Sequence, residues 1–322
     1  MKDTDYAFCV ARIRANESNL LSAEFIKKLV DAENYEAAVR LLETVGWIDR
    51  DTEDGDFIRK QNRNLWKLLS ESVPDKKVLD YLCVLNDYFN IKTAIKCVLS
   101  GENADKYYAE PSSLPLESLC NSIDDRDFDA LKSESMRTAA KNAFETACVT
   151  NRGQDAEMLL DVAALNALFE IYSNCKYRVF ADICAFIVDS SNIRTAIRCA
   201  INKKDVAFIA SALSDCCKIK KDKLISESVS GLDALREYLS SSEYSEGAEL
   251  YFTNSALYDN WCEKKVLDIA TSSGFTAFGF DPVCAYFYKK NNEIKTVKLI
   301  LNAKKSGIST ELLRERVMVA YA

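Results

Sequence analysis

The sequence predicts an all-α fold of three related helical units, and three observations carry that expectation. An octapeptide recurs about every hundred residues, apolar residues fall at helical spacing, and turn-forming residues are scarce. Asn90-Ile91-Lys92-Thr93-Ala94-Ile95-Lys96-Cys97 returns as Asn192-Ile193-Arg194-Thr195-Ala196-Ile197-Arg198-Cys199, six of eight positions identical and the other two Lys-to-Arg exchanges. A weaker third copy reads Glu293-Ile294-Lys295-Thr296-Val297-Lys298. Asp87 and Asp189 extend the first two copies to Asp-x-x-Asn-Ile, a pattern the third lacks. The period exceeds the roughly 20 to 50 residues of solenoid repeats, so it points to a few small domains. With four Pro and nine Gly in 322 residues, there is too little turn chemistry for an all-β protein.

Each element follows from local pattern. Leu21-Ser22-Ala23-Glu24-Phe25 opens a run carrying Leu29, Tyr35 and Leu41. Ser22 suits an N-cap because its hydroxyl accepts from a free amide of the first turn, where an acidic residue also meets the helix dipole. The first octapeptide comes next, with Ile91, Ala94, Ile95 and Val98 on one face and Lys92 and Lys96 on another. Leu114-Pro115-Leu116-Glu117-Ser118-Leu119 opens a run carrying Ile123, Phe128 and Leu131. Leu159, Leu160, Ala163, Ala164, Ala167 and Leu168 form one apolar stripe, and Ile183, Phe186, Ile187, Ile193, Ala196 and Ile197 form another. Ile219 to Leu224 leads into Val229, Leu232 and Leu235, and Ile308 to Leu313 into Val317 and Tyr321, with Ser309 as N-cap. These alternations divide the chain into helical domains at 1–113, 114–218 and 219–322, with the termini able to share one domain. Prediction extends to a pseudo-threefold relation among them.

Composition narrows the chemistry. No histidine occurs, which removes Ser-His and Cys-His nucleophiles, imidazole bases and His-bearing metal sites. There is no glycine-rich phosphate loop. Twelve cysteines include no Cys-x-x-Cys, and most sit in apolar helical stripes where a thiol behaves as a small hydrophobe. The adjacent Cys216-Cys217 is the one pair open to a redox or soft-metal reading. Acidic groups at Asp124, Asp125, Asp127 and Asp129, and at Asp49, Asp51, Glu53, Asp54 and Asp56, lie in polar stretches that read as solvated loops. A formal charge of −7 argues against general nucleic-acid binding. No run approaches the roughly 18 apolar residues of a membrane span, and the polar, acidic opening is unlike a secretory signal. The expectation is a non-enzyme without cofactor, metal or nucleotide, on the cytoplasmic side.

Residues at both ends carry a family resemblance. The run Tyr6-Ala7-Phe8-Cys9-Val10-Ala11-Arg12-Ile13-Arg14-Ala15-Asn16-Glu17-Ser18-Asn19-Leu20-Leu21 resembles the opening of the V/A-type rotary ATPase component known as C in bacteria and archaea and as d in eukaryotic vacuolar enzymes. Phe280-Asp281-Pro282, Ala285-Tyr286, Glu293-Ile294-Lys295, Ile300-Leu301, Lys304, Gly307, Leu313-Arg314-Glu315-Arg316 and Tyr321 resemble its end. Lys298 departs from the Arg expected there. The resemblance implies three all-helical domains arranged as a funnel about a pseudo-threefold axis. It also implies a non-catalytic rotor part that joins the central shaft, with subunits of the D and F type, to the membrane proteolipid ring for proton or sodium transport. A helical-repeat adaptor of another cytosolic complex is the alternative that the repeats alone would allow.

Two sets of basic residues are candidate contact sites. Lys92, Lys96, Arg194, Arg198 and Lys295 recur on the repeated helix and would form a positive collar for an acidic shaft tip if they line the funnel. An ordinary solvated helix face, or pairing with nearby carboxylates, is the other reading open to them. Lys203, Lys204, Lys304 and Lys305 end two copies of that helix and are candidates to face the ring, with Lys218, Lys220, Lys221 and Lys223 enriching the second junction. Lysine near a helix C-terminus also simply favours the dipole.

Overall fold

The computed structural model describes residues 2–48, 56–150, 153–272 and 276–321. All regular structure among them is helical, in sixteen α-helices with short 3-10 turns and no strand. The acidic group at Asp49, Asp51, Glu53 and Asp54 lies outside the described residues. Two compact units divide the chain, one from residues 1–76 and 255–322 and the other from the continuous stretch 77–254.

In the first unit, α1 (Ala7–Glu17), α2 (Ala23–Asp31), α3 (Tyr35–Thr44) and α4 (Asp56–Ser72) pack with α14 (Ser255–Thr271), α15 (Asp281–Lys305) and α16 (Thr310–Tyr321). Ser22 caps α2 by accepting from the Phe25 amide at 3.2 Å, and Asn34 caps α3 by accepting from Ala37 at 2.9 Å. The capped helices then bury Ile26, Leu29 and Val30 from α2, and Ala38 and Leu42 from α3. These join Ile294, Val297, Ile300 and Leu301 of α15 and Leu313 and Val317 of α16 in one apolar core. Burying such a side chain fully stabilises by roughly 1.5–3 kcal/mol. Two chain ends thus complete one core.

In the second unit, α5 (Lys76–Ser100) is followed by α6 (Leu116–Asp124), α7 (Glu134–Thr150), α8 (Gly153–Asn174) and α9 (Arg178–Ile201). The shorter α10 (Val206–Ala212), α11 (Lys221–Ser230), α12 (Leu232–Ser240) and α13 (Ser245–Thr253) complete it. Helices α7 and α8 form a hairpin whose second arm lies against α9. Tyr81 of α5 stacks on Phe180 of α9 at 6.4 Å, and Phe186 of α9 stacks on Tyr244 at 5.9 Å. Asp124, Asp125, Asp127 and Asp129 lie exposed where α6 ends.

The octapeptide copies occupy the three longest helices. They sit in α5, α9 and α15, of 25, 24 and 25 residues. In each the apolar positions are buried: Ile91, Ala94 and Ile95; Ile193, Ala196 and Ile197; Ile294, Val297 and Ile300.

Candidate coupling surfaces on the repeated helices

What ties each long helix to the rest of its unit is a buried polar pair one turn before the octapeptide's isoleucine. In α5, Asp87 is 1% exposed and accepts from the Ser112 hydroxyl at 2.6 Å, the Ser113 amide at 2.8 Å and the Ser113 hydroxyl at 2.5 Å. Asn90 beside it both donates to and accepts from the Ala109 backbone. In α9, Asp189 is fully buried and accepts from the amides of Cys217 at 2.8 Å, Lys218 at 2.7 Å and Ile219 at 3.3 Å, and from the Tyr244 hydroxyl at 3.0 Å. Asn192 accepts from the Ser214 amide at 3.0 Å and donates to its hydroxyl. Burial pushes both aspartate carboxyls above the usual range, and these donors oppose the rise.

The third copy solves the same problem with different residues. Lys290 and Glu293 of α15 stand at the positions of the Asp and Asn, and they bond to each other at 2.5 Å. Glu293, 1% exposed, also accepts from the Leu21 amide at 2.6 Å and the Trp47 indole N–H at 2.8 Å. In all three copies the carboxylate receives an amide just before a short helix: Ser113 precedes α6, Lys218 and Ile219 precede α11, and Leu21 precedes α2. Residue identity alone shows only that Asp-x-x-Asn is missing from this copy. The signal that points to the pair is the Lys-x-x-Glu in the same register.

Each candidate cation has a definite place. Lys92 and Lys96 of α5 reach across to Asp161 and Glu157 of α8, each at 2.6 Å. They border a groove of about 570 Å³ lined by Phe89, Leu99, Tyr107, Ala156 and Leu160. On α9, Arg194 is half-buried and Arg198 exposed. Lys295 lies 3.8 Å from Glu263 of α14, both well exposed. Lys218 and Lys221 approach Glu243 and Asp215 at 3.7 Å, and Lys223 approaches Glu227 at 3.5 Å. Lys304 turns inward and donates to the carbonyls of Val30 at 2.8 Å and Ala32 at 2.5 Å, closing the C-terminal end of α2, while burial depresses its pKa. Lys305 lies over the Tyr35 ring at 5.7 Å, and Lys204 over the Phe208 ring at 4.6 Å.

The long helices also end alike. After α5, Gly101 has φ +73° and the Glu102 amide returns to the Cys97 carbonyl at 3.1 Å. After α15, Gly307 has φ +67° and Ile308 returns to Ala303 at 2.9 Å. After α9 the left-handed position belongs to Lys203, at φ +50°, and Lys204 returns to Cys199 at 3.0 Å. These are Schellman endings, in which a left-handed residue lets an amide satisfy a carbonyl of the last turn.

Burial pushes the Cys216 and Cys217 thiols up to about 12, which keeps them protonated and poorly nucleophilic. Among the described residues, no cluster of three or more Cys, Asp or Glu could hold a metal ion. Among the same residues, no helix is long and apolar enough to cross a membrane.

Comparison with known proteins gives the arrangement a family. The chain is 23% identical to the C subunit of the V-type sodium ATPase of Enterococcus hirae over 96% of its own length and 97% of that protein. It is 24% identical to the C subunit of the A-type ATP synthase of Methanocaldococcus jannaschii over 96% of its length and 85% of that protein. A profile of the ATP synthase (C/AC39) subunit matches residues 9–316, and the chain therefore belongs to that family.

Proposed function

We propose that this chain is a non-catalytic central-rotor subunit of a V/A-type ATPase, a socket that couples the central shaft to the membrane proteolipid ring at the cytoplasmic face. Its partners in this reading are the D- and F-type shaft subunits on one side and the ring on the other. Family membership over nearly the whole chain supports the class. The observation that carries the mechanical role is the buried polar tie, made in all three long helices to the backbone ahead of a short helix. A torque-bearing piece must resist shear between its helices. Close-packed apolar faces supply low compressibility, and a buried carboxylate with three or four donors fixes register, because sliding would strand those donors away from water.

Three helical domains about a pseudo-threefold axis, divided at 1–113, 114–218 and 219–322, remain part of this proposal. So does a shaft contact through Lys92, Lys96, Arg194, Arg198 and Lys295. Lys92 and Lys96 already meet carboxylates of α8, so their grip on a shaft would compete with those pairs, whereas Arg198 lies exposed on α9. The test is reconstitution: the purified chain should capture a D–F shaft pair in one-to-one ratio and carry it onto detergent-solubilised proteolipid ring. Failure to bind either partner, with the chain helical by circular dichroism, would overturn the reading.

A further inference from the structure

We propose that the tip between α9 and α10 is a contact site for an anionic lipid bilayer. From Ile201 to Ala207 every residue is exposed, including two aliphatics, Ile201 at 55% and Val206 at 54%. Between them stand Lys203 and Lys204, with Arg198 exposed one turn earlier. Asp205 is the one acid in the tip, and its carboxylate accepts from the Phe208 amide at 2.7 Å to cap α10. An exposed turn that pairs bare aliphatics with ammonium groups suits the headgroup boundary, where lysine stems lie along the apolar layer and their charges meet phosphate.

Backbone conformation supplies the independent argument. The equivalent position after α5 and α15 is glycine, and the same turn after α9 holds Lys203 at φ +50°. A left-handed conformation is strained for any residue with a Cβ, and a lysine has no short polar side chain to relieve it. Arg126, at φ +56°, ends α6 in the same way, but its guanidinium lies over the Phe144 ring at 5.4 Å. Lys203 packs on no such ring. An outlier of this kind is explained when the side chain is needed where it points, which here is outward.

The other two helix ends carry less of the combination: after α15, Lys305 and Ile308 are exposed, but Lys304 turns inward and glycine holds the left-handed position. Leu99 is exposed at the end of α5, but its turn carries Glu102 and no lysine. At the end of α15, Lys304 holds the α2 carbonyls. Exposed aliphatics beside two ammonium groups match the layered chemistry of a headgroup boundary, which favours the lipid surface over a protein of the membrane sector. The inference adds a lipid contact to the rotor reading and stands without it.

Vesicle flotation of the full chain tests it, with phosphatidylcholine vesicles compared with vesicles containing phosphatidylglycerol. The wild type should float with the anionic vesicles at low salt, not with the neutral ones, and should be released as salt screens the charges. Lys203→Gly should weaken flotation about fivefold, and Lys203→Gly with Lys204→Ser about thirtyfold. The decisive readout is the sign on stability, since Lys203→Gly should raise Tm by about 2–4 °C by relieving the strained turn. A variant that loses binding while gaining stability has not misfolded. No flotation of the wild type, or flotation unchanged in the double variant, overturns the proposal. So does capture of solubilised proteolipid ring that depends on these lysines when vesicle binding does not. Shaft capture by the same variants should stay intact, which separates this result from failure of the rotor reading.

Discussion

Asp87 and Asp189 occupy equivalent positions, yet replacing each with asparagine should have unequal effects, because their donors differ in kind. At Asp87, one oxygen accepts from the Ser112 hydroxyl and the Ser113 amide, and the other only from the Ser113 hydroxyl. An asparagine amide placed toward Ser113 Oγ can donate where the carboxylate accepted, since a hydroxyl rotates and has lone pairs. Every group stays satisfied. The cost is that of weaker, uncharged hydrogen bonds, about 1 kcal/mol. At Asp189, one oxygen faces the Cys217 amide and the other faces Lys218, Ile219 and the Tyr244 hydroxyl. Either orientation of asparagine sets its NH₂ against at least one backbone N–H that can only donate. That leaves two buried donors without acceptors, at roughly 1–3 kcal/mol each, and weakens the remaining bonds, for a total of about 3–4 kcal/mol. Both residues belong to the unit 77–254, so the same urea transition reports both substitutions. Asp189→Asn should therefore shift the midpoint about three times as far as Asp87→Asn at unchanged slope. Equal shifts, or a larger one for Asp87→Asn, would refute the donor argument.

Lys290→Met should destabilise the unit containing both termini by about 3–5 kcal/mol, because Glu293 stays buried without its counter-ion; chemical denaturation followed by Trp47 fluorescence reads it. Burial, reinforced by Asp3, pushes the Asp281 carboxyl up, so the folded state holds this proton more tightly than the unfolded chain. Its contribution is therefore full below the ordinary carboxylate value and lost as pH rises through the raised folded value. Relative to Asp281→Asn, the wild type should gain stability as pH falls across that window, and parallel pH profiles would contradict this. Lys96→Glu should cost less than about 1 kcal/mol despite losing Glu157, since both side chains are substantially exposed. Arg198→Glu should weaken shaft capture more than Lys96→Glu at low salt, and the difference should shrink as salt rises. Equal loss from the two would show that paired and unpaired cations grip alike.

The sequence made the helical class, the Ser22 cap and the three copies of the repeated helix legible because each rests on local pattern. Apolar spacing and a capping hydroxyl act within one or two turns, so no partner need be known. The candidate site was legible in residue type and not in use. Lys92 and Lys96 were visible as a stripe, but their meeting with Asp161 and Glu157 depends on how α5 lies against α8, some 65 residues away. Lys304 reads as a surface cation because its run is basic, whereas the carbonyls it holds come from the opposite end of the chain. Lys290 and Glu293 are hidden for a related reason: a pair that preserves the function of Asp-x-x-Asn while reversing the charge of its first member cannot be matched by residue identity.

Glu293's bonds to Leu21 and Trp47 carry a consequence for biosynthesis. On the ribosome, α2 and α3 emerge with an apolar face whose partners, in α15 and α16, are encoded about 245 residues later. At roughly 5–20 residues per second that face waits about 12 to 50 s for its complement. The stretch 77–254 is continuous and forms a compact unit by itself, so it can fold while the N-terminal helices are still uncovered. Newly made chains should therefore present α2 and α3 to chaperones, or to one another, until α15 and α16 have been made. Expression at low temperature or with a general holdase should raise the soluble yield of this protein more than that of a helical protein of equal length whose repeats close in order.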